Sequence, residues 1–154
     1  FYPGTFILDG SQFYIKILEF AYNIFGPHIF VGNLLSCFVW YFSAKVLIKV
    51  FYMLRLTKIN QIKILLVYSF LPSSIILCSI TIREPFQLLF INVLTFLSIK
   101  ILFLRVDFIK NLVLFFASCY VLSSLHYSFL FSSIILSLFL IFLYFFELSV
   151  NKSK

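Results

Sequence analysis

The chain has 154 residues, of which 63% are hydrophobic and only 11% charged, whereas a soluble domain carries about 25% charged residues. This composition excludes a soluble globular fold and predicts an integral membrane protein. The net charge of +7 does not imply a nucleic-acid partner, because Lys and Arg stand at the ends of apolar runs and form no basic face.

The N-terminal segment, residues 1–28, differs from the rest. Phe1-Tyr2-Pro3-Gly4 and Asp9-Gly10-Ser11 have turn chemistry. Residues 12–25 are apolar but too short to span, and a helix there would be about 21 Å long. Its Lys16 and Glu19 suit an exposed i, i+3 pair. An interfacial or re-entrant helix is predicted, ended by Gly26-Pro27-His28.

Residues 29–147 are predicted to form an all-α polytopic bundle of about five spans, each needing about 20 apolar residues. The first runs over 29–54, with Lys45 and Lys49 able to snorkel from its last turns. The second runs over 62–82, and Pro72 should kink it by removing a helical hydrogen bond. The third runs over 85–103, with Pro85 suited to its first turn. From Asn111 to Phe146 no residue carries a formal charge. As one helix that run would be about 54 Å long, well beyond a hydrocarbon core of about 30 Å. It must fold back, and the polar stretch Ser123-Ser124-Leu125-His126-Tyr127-Ser128 marks the hairpin. The last two spans are therefore 108–124 and 128–147, and 148–154 forms a tail.

Basic residues set the expected orientation. Lys45, Lys49, Arg55, Lys58 and Lys63, then Lys100, Arg105 and Lys110, then Lys152 and Lys154 fall on one side of a five-span topology. The other side receives only Lys16 and Arg83. The basic side is expected to be cytoplasmic. Asp9, Glu19, His28, Arg83, Glu84, His126 and Tyr127 then share the outer face.

Arg83-Glu84-Pro85 lies between two long uncharged runs. A charge at the bilayer centre costs about 2.5–3.5 kcal/mol on insertion scales, so the pair belongs at a membrane surface or in a polar cavity. Two readings stand side by side. In the first, Arg83 closes one helix and Glu84 opens the next, each matching the dipole of its helix end. In the second, Arg83 binds a phosphate through charge-assisted hydrogen bonds, and Glu84 orients Arg83 or contacts a sugar hydroxyl. Asp9 is either a turn residue or a general base. His126 and Tyr127 are either hairpin residues or contacts to phosphate and sugar. The three cysteines, Cys37, Cys78 and Cys119, lie in separate apolar runs and read as packing thiols. No metal site, P-loop or nucleophile elbow is present in the sequence.

Tyr22-Asn-Ile-Phe-Gly26-Pro27-His-Ile-Phe-Val-Gly-Asn33 resembles a stretch of the C-type polytopic membrane glycosyltransferases. In that family it follows the first outer loop and opens a spanning helix. Phe70-Leu-Pro72-Ser-Ser-Ile-Ile-Leu-Cys-Ser79-Ile-Thr-Ile-Arg83-Glu84 resembles the family's segment in which a proline precedes a serine and an Arg-Glu pair. Leu125-His126-Tyr127 falls where relatives have a polar turn between two late helices. The resemblance covers about residues 12–130 as a topology and two short motifs. It implies transfer of a sugar from a polyprenyl-phosphate-linked donor to a glycan, lipid or protein acceptor on the outer face of a bacterial cytoplasmic membrane. It also implies Asp9 as catalytic acid-base residue, Arg83, Glu84, His126 and Tyr127 as substrate- and phosphate-binding residues, and membrane lipid as a partner. No cofactor follows from it, and a divalent metal stays open.

Two departures matter. The family has about ten or more spans, twice the number expected here, and its catalytic carboxylate follows a first helix that this chain lacks. The chain begins at Phe1, so it is expected to be a piece of a longer protein, with the catalytic acid at Asp9 or upstream. The competing expectations are a non-catalytic membrane subunit or transporter element, and a polysaccharide polymerase or ligase.

Overall fold

The computed structural model describes residues 12–70, 83–104 and 107–152. Asp9, Pro72, Cys78 and Arg105 lie outside them. The described residues form six α-helices and no strand: α1 (Gln12–Phe25), α2 (Ile29–Met53), α3 (Lys58–Phe70), α4 (Glu84–Ile99), α5 (Phe108–Leu125) and α6 (Ser128–Lys152). A π-helical turn, Lys100–Leu104, continues α4.

Among the described residues, three helices are long and apolar enough to cross a membrane: Ile29–Met53, Glu84–Phe103 and Phe108–Leu125. The protein is therefore a helical bundle with the character of an integral membrane protein. The described part of α3 has 13 residues, about 20 Å at helical rise. Helix α6 runs on to Lys152, into the stretch expected as a tail.

Chain reversals follow local chemistry. Gly26 adopts φ +86° at the end of α1, in the left-handed region that glycine enters without a Cβ clash. Helix α2 ends in a Schellman motif. The Leu56 N–H donates to the Phe51 carbonyl and the Arg55 N–H to the Tyr52 carbonyl, each at 3.1 Å. Arg55, at φ 54°, occupies the left-handed position usually taken by Gly. The α5–α6 hairpin turns at His126-Tyr127, inside the stretch that the polar residues marked.

Helices α2 and α4 pack side by side and in parallel. Val39 clusters with Phe86, while further along both helices the Asn92 side-chain amide donates to Ser43 Oγ at 2.8 Å. The buried stripe of α2 is Gly32, Ser36, Val39, Ser43 and Val50. Its small residues let two backbones approach closely, as interfaces between lipid-embedded helices require. The Ser36 hydroxyl donates back to the Gly32 carbonyl at 3.1 Å, so it leaves no unsatisfied group in the interface.

Helix α5 runs antiparallel to α4. Leu94, Leu97 and Ile101 meet Phe115, Cys119 and Leu122 in one cluster, whereas Phe86 at the start of α4 meets Leu125 at the end of α5. The bundle thus has two distinct ends. One holds the start of α4, the end of α5 and the α5–α6 turn. The other holds Arg55, Lys58, Lys100, Asp107 and Lys110. Arg55 and Lys58 of one expected basic cluster thus lie at the same end of the bundle as Lys100 and Lys110 of the next.

Helix α1 lies across the first end. Tyr14 and Ala21 are buried, and Ile17 and Leu18 pack on the same cluster. Lys16 and Glu19 face away and are exposed. Phe13, Phe20 and Ile24 form an exposed apolar flank between these faces. The short helix thus carries a packing stripe, an apolar flank and a polar face.

Candidate functional site

The start of α4 is built by Arg83-Glu84-Pro85. Pro85 lacks an N–H, which costs nothing in a first helical turn, and it is fully buried. The Arg83 carbonyl accepts from the N–H of Phe86 at 3.1 Å and of Gln87 at 3.3 Å. Glu84 stands in the first turn, where the positive end of the helix dipole favours an anion.

The Arg83 side chain crosses to α5. Its Nη1 donates to the Leu125 carbonyl at 3.5 Å. Leu125 is the last residue of α5, so its carbonyl belongs to the partly negative end of that helix. The bond is long, at the outer limit of useful hydrogen-bond geometry. Arg83 is half-buried and has no ion pair with a carboxylate among the described residues. The expected orientation of Arg83 by Glu84 is therefore not seen. Glu84 instead leaves its Oε2 buried without a hydrogen-bond partner.

His126 follows Leu125 in extended geometry. Its Nδ1 accepts from the Ser128 N–H at 3.2 Å and pairs with the Ser128 hydroxyl. A backbone N–H can only donate, so Nδ1 is the acceptor and the neutral ring carries its proton on Nε2. The ring stands edge-on to Phe129, 6.0 Å between centroids. These contacts give His126 a helix-capping task and leave Nε2–H as a donor. Tyr127 is exposed beside it. Arg83, Glu84, His126 and Tyr127 therefore meet at one end of the bundle, joined through Leu125. Asp9 lies outside the described residues.

Sequence reasoning missed Tyr14. Its ring packs edge-on against Phe86, 5.5 Å between centroids, and only 8% of the residue is exposed. Its hydroxyl has no hydrogen-bond partner. Burial, then the neighbouring Tyr22, then the negative charge of Glu84 push its pKa up to about 12. It is a neutral donor at ordinary pH. The buried stripe of α1 was the available signal, but it marks packing rather than a hydroxyl left unpaired.

Below this end a groove of about 390 Å³ opens between α4, α5 and α6. Ile91, Leu94, Leu122, Phe129 and Leu136 give it apolar walls. Thr95 and Ser98 also line it, but their hydroxyls donate to carbonyls of their own helix at 3.0 and 2.8 Å. Its upper wall reaches the junction. Leu122 is one turn below Leu125, and Phe129 carries the His126 contact.

A second polar feature lies midway along the bundle. Ser43 Oγ is shared by the Asn92 amide at 2.8 Å and the Tyr68 hydroxyl at 3.0 Å. Tyr68 also stacks on Trp40, 5.7 Å between centroids. This node ties α3 and α4 to α2.

No group of three or more His, Cys, Asp or Glu residues among the described residues could hold a metal ion. Compared with known proteins, the chain matches no family model, no curated protein and no solved structure.

Proposed function

We propose that the chain is part of an integral membrane glycosyltransferase. It would move a sugar from a polyprenyl-phosphate donor to an acceptor at the membrane face carrying Arg83, in a five-span topology with the basic loops cytoplasmic. The observation that carries this reading is the state of Arg83. It is a half-buried guanidinium with five donors and one long contact to the carbonyl of Leu125, one helical turn beyond Leu122 in the wall of the apolar groove. A lipid phosphate at Arg83 with its hydrocarbon chain in that groove would use both features.

The chemistry is an inverting displacement. A carboxylate, with Asp9 as the candidate, takes the proton of the acceptor hydroxyl. The acceptor oxygen bonds to the anomeric carbon as the bond to the phosphate oxygen breaks, and that oxygen leaves with the electron pair. Arg83 stabilises the charge growing on the phosphate. His126 Nε2–H and the Tyr127 hydroxyl supply further donors to phosphate or sugar.

Sugar transfer from a labelled polyprenyl phosphohexose, by the full-length protein in vesicles, tests the proposal. Arg83→Ala should lower transfer about 10- to 100-fold, the worth of a charge-assisted hydrogen bond, with membrane insertion unchanged. Full activity in that variant returns Arg83 to helix punctuation. The Arg83–Leu125 bond favours that second reading, in which the chain is a non-catalytic membrane subunit and Arg83 only joins α4 to the end of α5.

A further inference from the structure

Helix α2 has two working faces. Its buried stripe of Gly32, Ser36, Val39, Ser43 and Val50 is used against α4. On the opposite side Leu34, Phe38, Tyr41, Lys45, Ile48 and Tyr52 recur at alternating steps of four and three residues. All of them are exposed except Ile48, which is half-buried. A seam with this spacing is the one that a second helix fills by interdigitating its side chains. Lys45 is the charged member of the seam.

Lys45 stands deep in the bundle. It is two residues beyond Ser43, which meets Asn92 of α4 at 2.8 Å. Asn92 is eight residues past the start of α4, so Lys45 lies about 15 Å below that start. This is half of a hydrocarbon core of about 30 Å. In the other direction, about 12 Å of helix separates Lys45 from the end of α2 at Met53. A snorkelling lysine extends toward the nearer surface. Lys45 does the reverse. Its Nζ stands over the ring of Tyr41, 4.6 Å from the centroid, one turn farther from the end of α2. The expected snorkelling of Lys45 is therefore not seen. The ring face attracts the ammonium, but its charge stays unpaired, and a charge at this depth calls for a carboxylate.

We infer that this face of α2 binds a membrane-spanning helix from outside these 154 residues, and that an Asp or Glu at mid-depth of that helix pairs with Lys45. The described helices offer no such group. Of the chain's five carboxylates, Glu19 and Glu84 stand toward the first end of the bundle and Asp107 at the other. Glu147 is 19 residues along α6 from the first end, about 28 Å. Asp9 lies outside the described residues. Residues 71–82, between α3 and α4, contain no acid. A second copy inserted in the same direction therefore brings none of these four to the level of Lys45. A lipid phosphate belongs at the bilayer surface, beyond the hydrocarbon that surrounds this level. The opposed helix would cover Leu34, Phe38 and Tyr52, and the Lys45 pair would fix its register, the task of a single polar residue in an apolar seam.

Nitroxide labelling of the full-length protein, in nanodiscs excised from its own membrane, tests this in a background with the native cysteines replaced by serine. Dissolved oxygen concentrates in hydrocarbon. A label at Phe38→Cys, on the seam, should collide with oxygen several-fold less often than a label at Val113→Cys, on an exposed side of α5. Equal collision rates would show that lipid covers the seam and overturn the inference. Dipolar coupling between two Phe38→Cys labels would show a second copy there and overturn it as well. The charge is tested separately, through accumulation of unlabelled protein in that membrane. Lys45→Leu should lower accumulation several-fold, because it strands the carboxylate of the opposed helix, and Lys45→Arg should keep it near the wild-type level. A lysine facing lipid predicts the opposite, since leucine removes a charge that lipid disfavours. Accumulation of Lys45→Leu at or above the wild-type level would overturn the carboxylate pairing, even with the seam covered.

Discussion

Ser43 shows how much one side chain can organise between membrane helices. Its fully buried hydroxyl meets partners on two other helices, Tyr68 and Asn92. Hydrocarbon offers no competing water, yet measured bonds of this kind average only about 0.6 kcal/mol, with a maximum near 1.7. A double-mutant cycle of Ser43→Ala and Asn92→Ala, read by unfolding in detergent, should give a coupling within about 0.5–1.7 kcal/mol. Zero coupling would mean that the two residues act independently. Asn92 shares its apolar run with Gln87, and nothing in the sequence singled it out or named its partner. Pairing depends on how α2 and α4 are rotated about their axes, and no local pattern encodes that. Tyr14 escaped notice for the same reason, and so did the unpaired state of Glu84 Oε2. An unpaired atom is a property of the packed neighbours, while Arg83 stood out because a charge between apolar runs needs no neighbours to be conspicuous.

The helices themselves were readable where a breaker or a length limit applied. Pro85 marks the start of α4, Gly26 the end of α1, and His126-Tyr127 the turn that an overlong apolar run had to contain. The π-helical turn at Lys100–Leu104 gave no such sign, since Ile101 to Leu104 are as apolar as the residues before Lys100. Nor did the left-handed backbone at Arg55 and Asp107. Arg55 closes a Schellman motif in a conformation that costs an L-residue about 1–2 kcal/mol and a glycine almost nothing. Arg55→Gly should therefore stabilise the bundle by about 1 kcal/mol in a denaturant titration. Destabilisation would show that the arginine side chain holds the loop in another way. The packing stripe of α2 also has a reason beyond hydrophobicity. Lipid tails are as apolar as Leu, so helices associate through close packing, and Gly32, Ser36 and Ser43 make room for it.

At the scale of the whole molecule, two ends with different chemistry define the protein. One end gathers Arg83, Glu84, His126, Tyr127 and Tyr14. The opposite end carries Arg55, Lys58, Lys100 and Lys110. Parallel α2 and α4, with antiparallel α5, produce this separation, and the apolar groove runs down from the first end. The proposed chemistry needs the first end outside, where a lipid-linked sugar would be used, and the basic end inside. Labelling of single cysteines with a membrane-impermeant maleimide tests this most directly. Tyr127→Cys and Lys58→Cys would be compared in right-side-out vesicles, in a background with the three native cysteines replaced by serine. Tyr127→Cys should label in intact vesicles and Lys58→Cys only after permeabilisation. Labelling of both from the same side, or the reverse pattern, would contradict the account.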